Sequence, residues 1–180
     1  MSSQNTTDVF GVLIPSANPF FVATVGVHIL FGMAAVVIGA IAMLSNKGHG
    51  RHSNCGIIYF WCLFGVLITM SALAFTRWEE DYHLFTLGAF SFGAAYLGRT
   101  ILRHRRLQWL RLHLVCMATS YILMITVFYV DNGKNLPLWR ELPQIVFWLM
   151  PAMIGAPLIL YVLRSHPLIR EYDRRNEISN

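Results

Sequence analysis

Charge is scarce in this chain. Asp, Glu, Lys and Arg make up 13% of its 180 residues, roughly half the share of a typical soluble domain. An ordinary water-soluble surface is excluded unless the charges are confined to loops. Cysteine is scarce too: Cys55, Cys62 and Cys116 are present, with no C-x-x-C pair. That odd, unpatterned set argues against a disulfide framework, and the three read as small packing hydrophobes. No basic stretch precedes the first apolar run, which is also too long for the core of a cleaved signal. No H-E-x-x-H pattern marks a metalloprotease helix. The net charge is +5, but the basic residues flank apolar runs. They therefore read as lipid-headgroup contacts and topology signals, and no nucleic-acid partner is expected.

What the chain has instead is apolar length. Hydrophobic residues make up 56% and the mean hydropathy is +0.51. They gather in runs that predict five transmembrane helices at about 19–44, 55–76, 84–102, 108–130 and 143–163. Each approaches the ~20 residues that cross a bilayer core. The expected fold is an all-α, polytopic bundle forming a single transmembrane domain over 1–180, with polar tails at 1–18 and 164–180. Nothing is left over for a soluble domain.

Loop charge orients the bundle. The loop after the first helix carries Lys47 and Arg51 and no acid, and the loop after the third carries Arg99, Arg103, Arg105, Arg106 and Arg111. The loop after the second carries Glu79, Glu80 and Asp81 against Arg77. Positive residues stay inside. This predicts an outside N-terminus and a cytoplasmic C-terminus, in the cytoplasmic (plasma) membrane. Trp78, Tyr82, Trp109 and Trp139 fall near expected interfaces, where amphipathic rings prefer to lie. Pro151 and Pro157 lie inside the fifth helix, and Gly88, Gly93 and Gly98 in the third either let helix backbones pack closely or leave room for a flat cofactor.

The candidate functional residues are histidines. His49, His104 and His166 read as solvated loop or tail residues. His28, His52, His83 and His113 lie in or at the ends of the helices, where an ionisable side chain is costly and needs a reason. The topology sorts them into layers: His28 with His83 in the outer half, His52 with His113 in the inner half. Facing histidines at one level can ligate a haem iron from both sides. Counted along the helices, the outer pair differ in depth by roughly 3 Å and the inner pair by roughly 10 Å. The outer pair is thus the better matched. A plainer role, bonding a backbone carbonyl, remains open for each.

The outer face holds a second possibility. His28, His83, Glu80 and Asp131 form a histidine–carboxylate set of the kind that binds zinc or iron. The Asp131-Asn132-Gly133 run predicts a helix end with Gly133 left-handed. Asp131, unfavourable at a helix C-terminus, is expected to pair with Lys134 or Arg140. A faint repeat relates His28 and His52 to His83 and His113, each pair separated by a glycine-rich helix and a basic loop.

The two histidine layers resemble the architecture of cytochrome b561-like diheme membrane proteins. That resemblance implies haem b as cofactor and a quinone or respiratory-chain component as partner. Residues 27–62, 109–139 and 142–159, above all the run at 120–139, are similar to the bacterial membrane proteins of domain-of-unknown-function family 2306. That resemblance implies a small multi-pass membrane protein and no particular activity. Histidine placement is also similar, more distantly, to small membrane proteins linked to terminal-oxidase assembly. Three functions are therefore expected: a haem-binding, redox-linked membrane protein; a non-catalytic assembly or scaffold factor that needs no cofactor; or a metal-dependent hydrolase with an outer-face site.

Overall fold

The computed structural model describes residues 7–9, 12–14, 19–45, 50–101, 107–137 and 139–165. Five long helices carry the fold: α1 (Pro19–Leu44), α2 (Arg51–Thr76), α3 (Trp78–Ile101), α4 (Leu107–Asn132) and α5 (Gln144–Ser165). His49, His104, His166, Lys47, Arg103, Arg105 and Arg106 fall outside the described residues.

Within the expected N-terminal tail, β1 (Thr7–Val9) pairs antiparallel with β2 (Val12–Ile14). Thr7 lies opposite Ile14 and Val9 opposite Val12, and all four are β-branched, a type enriched in strands.

Among the described residues, four segments are long and apolar enough to cross a membrane: α1, α2, Leu110–Asn135 and α5. They leave Leu30, Met33, Val37, Ile68, Leu149, Met153 and Leu158 exposed. So much exposed apolar surface suits lipid better than water. The third helix, expected as a fifth crossing, is not among them. It begins at Trp78 rather than 84, so Glu79, Glu80 and Asp81 form its first turn. Negative charge there complements the helix dipole, which is why the acids extend the helix instead of forming a loop. Arg77 alone separates α2 from α3, and its guanidinium pairs with Glu80. Likewise α2 starts at Arg51 rather than 55, its polar first turn preceded by Gly50 at φ +115°.

The chain forms two compact units, Met1–Ala89 and Phe90–Asn180, with the boundary inside α3. In the first, α1 and α2 pack antiparallel. Small residues Ala35, Gly39 and Ala42 form the buried stripe of α1, which lets backbones approach in lipid. Tyr59 and Leu63 are the buried counterparts on α2. At Gly65 a Cβ would sit 2.9 Å from the Phe31 ring, so that glycine admits the ring.

In the second unit, Ser91 Oγ donates to the Ser120 carbonyl at 2.8 Å, joining α3 to α4 with both serines fully buried. Helices α4 and α5 pack antiparallel. Gln144 Nε2 donates to the Val130 carbonyl at 3.2 Å. Gly133 meets Phe147, and Gly155 meets Ile122. Gly133 does not take the expected left-handed conformation. It continues α4 into a 3-10 turn (Gly133–Asn135), and its Cβ would lie 2.7 Å from the Phe147 ring. Close approach, not positive φ, requires glycine there. Lys134 Nζ donates to the Leu142 carbonyl at 2.7 Å, tying the turn to the start of α5. Asp131 accepts from Asn132 Nδ2 at 3.1 Å.

Candidate histidine site

His28 lies in the interior of α1, half-buried, with Nδ1 2.9 Å from Thr69 Oγ1 of α2. Gly65 and Phe31 bring the two helices together one turn away. The Thr69 hydroxyl also lies 2.8 Å from the Gly65 carbonyl and 3.0 Å from that of Val66. A hydroxyl has one proton to give, and carbonyls only accept. With that proton on its own helix, Thr69 accepts from His28, and the imidazole proton belongs on Nδ1. In a neutral imidazole this assignment makes Nε2 the lone-pair nitrogen.

Two further histidines share this arrangement. His52 Nδ1 lies 2.8 Å from the Ala42 carbonyl, and His113 Nδ1 lies 2.7 Å from the Gly98 carbonyl. Both acceptors belong to the last four residues of a helix, whose carbonyls have no intrahelical partner. His52, on α2, serves the end of α1; His113, on α4, serves the end of α3. Here too Nδ1 is the donor and Nε2 the lone-pair nitrogen. The faint repeat in the sequence thus has a physical counterpart: each second helix ties down the end of the one before it.

His83 sits in the second turn of α3, half-buried, its ring edge-on to Tyr82 with centroids 5.6 Å apart. It belongs to the same unit as His28. Along their helices, His28 lies 16 residues before Leu44 and His83 18 before Ile101, about 24 and 27 Å. His52 and His113 fall in different units, one residue past Arg51 and six past Leu107.

Among the described residues, no three His, Cys, Asp or Glu side chains gather as a metal-holding group. Of the outer-face set, Glu80 is engaged by Arg77, and Asp131 lies in the second unit.

Sequence reasoning missed Thr69 and the Ser91–Ser120 pair. The available signal was position: Thr69 follows Gly65 by one turn on the face that meets α1. The chain matches no protein family, no curated protein and no solved structure.

Proposed function

We propose that this chain is a multi-pass protein of the cytoplasmic membrane that holds a b-type haem through His28, with His83 as the second ligand. The observation that carries the reading is the state of the His28 imidazole. A metal-binding histidine characteristically donates its other ring N–H to a fixed acceptor, which sets tautomer and ring orientation. Thr69 is placed to be that acceptor. The similar depths of His28 and His83 suit two ligands of one iron. A bound haem would supply one-electron transfer, with a quinone or respiratory-chain component as partner. The protein's own contribution is to fix the ligand nitrogen and to surround it with apolar helix.

In this reading α3 is the fifth crossing. Its 24 residues span about 36 Å, enough for a bilayer core. Its charges lie in the first and last turns, leaving the middle uncharged. The N-terminus is then outside and the C-terminus cytoplasmic.

The test is ligand replacement in detergent-purified protein. His28→Ala and His83→Ala should each abolish the low-spin haem spectrum, whereas His52→Ala should retain it. Retention of that spectrum in both of the first two variants would refute the assignment.

A second reading, a non-catalytic assembly or scaffold protein, is favoured by His52 and His113, whose bonds to helix-end carbonyls are structural ties. It predicts a colourless protein that co-purifies with a membrane partner.

A further inference from the structure

We propose that the exposed aromatic face of α2 around Trp61 binds a quinone from the lipid phase, with the Trp61 indole N–H donating to a quinone carbonyl. Trp61 is 57% exposed. It stands two residues from both Tyr59 and Leu63, which are buried, and so on the opposite side of the helix from them. Ile57, Phe64 and Ile68 are exposed on the same side as Trp61. Phe60 and Phe64 stand edge-on to the Trp61 ring, with centroids 5.8 and 5.9 Å from its own. These rings offer the indole no oxygen or nitrogen acceptor. Among the described residues, nothing accepts a conventional hydrogen bond from Trp61 Nε1.

Depth makes that donor informative. Tryptophan in membrane proteins gathers at the interfaces, where its N–H meets a polar partner. Helix α2 has 26 residues, about 39 Å of length, against a hydrocarbon core of about 30 Å. Trp61 comes ten residues after Arg51, about 15 Å along the helix and so about 10 Å inside a core centred on it. A donor without a partner there is costly. Acyl chains carry no acceptor, and water is excluded. A second copy of this chain, docked in parallel along the same face, would set donor against donor. A quinone meets each requirement. It dissolves in the hydrocarbon, its carbonyls accept hydrogen bonds, and its flat ring packs on aromatic side chains. The inference rests on the redox reading only for what a bound quinone then does; the contact itself needs no haem.

The experiment is equilibrium binding of tritiated decylubiquinone to the full-length protein in lipid nanodiscs, with the infrared carbonyl band of the bound quinone recorded alongside. The wild type should bind saturably, with the carbonyl band moved to lower frequency. Trp61→Phe keeps an aromatic ring on an exposed face and loses only the N–H donor and some ring area. It should weaken binding about tenfold, the worth of one hydrogen bond, and return the band toward its free position. Trp78→Phe and His28→Ala should bind as the wild type does, so loss of haem and loss of quinone are separate outcomes. No saturable binding to the wild type, or equal affinity in Trp61→Phe with an unchanged carbonyl band, would overturn the site. So would loss of binding in His28→Ala or Trp78→Phe, or displacement by squalene, which has no carbonyl, as readily as by unlabelled quinone.

Discussion

His52 Nδ1 stands 2.8 Å from the carbonyl oxygen of Ala42, so the start of α2 holds the end of α1. His113 and Gly98 repeat the relationship between α4 and α3 at 2.7 Å. A helix-end carbonyl removed from water needs a donor, and in both cases an imidazole supplies it. His52→Leu and His113→Leu should each lower stability by about 1 kcal/mol, the worth of one interhelical hydrogen bond in a membrane protein. Unfolding in mixed detergent micelles measures this. Wild-type stability in both variants would show that the ties are incidental.

Gly133 and Phe147 make a sharper case. Phe147 is fully buried, and a methyl group at Gly133 would lie 2.7 Å from its ring. Gly133→Ala should therefore cost about 1–3 kcal/mol through overpacking. Gly26→Ala is the control. Nothing lies within 4 Å of its Cβ position, and alanine favours a helix by up to about 1 kcal/mol. The two substitutions should move the melting temperature in opposite directions.

Thr69→Val keeps the shape of the side chain and removes the hydroxyl that meets His28. Haem should still bind, with a changed midpoint potential and a shifted reduced spectrum, because the ligand has lost its hydrogen-bond partner. Thr69→Ser should restore the wild-type values. Identical potentials in all three proteins would separate Thr69 from the haem site.

The acids of α3 should matter little. The Arg77–Glu80 pair is exposed, and such pairs contribute at most about 1 kcal/mol. Glu80→Gln should lower stability by no more than that, and the difference should shrink as salt is raised. A salt-independent loss of several kcal/mol would instead indicate a buried role for Glu80.

The helices were largely legible in the sequence because apolar length and composition determine them. The first run, expected at 19–44, is α1 (Pro19–Leu44). The start of α3 lies earlier than the apolar pattern suggests because Glu79, Glu80 and Asp81 read as loop charges, although the helix dipole makes a first turn the favourable place for them. At Gly133 the Asn-Gly pair signals a turn and so points to a left-handed conformation. The nearness of Phe147, fourteen residues on, is a tertiary fact that no local pattern carries. The four histidines could be singled out by the cost of burying them, but their partners could not. Ala42 and Gly98 contribute only backbone carbonyls, and any residue has one. Thr69 was hidden for a related reason: a threonine in an apolar helix ordinarily bonds its own preceding turn, as Thr69 also does.

The most direct measurement is the absorption spectrum of detergent-purified protein, oxidised and then dithionite-reduced, from cells well supplied with haem. The account predicts a Soret band that sharpens on reduction, with the α and β bands of a six-coordinate b-type haem, lost in His28→Ala. A folded wild-type protein with no Soret band would contradict it.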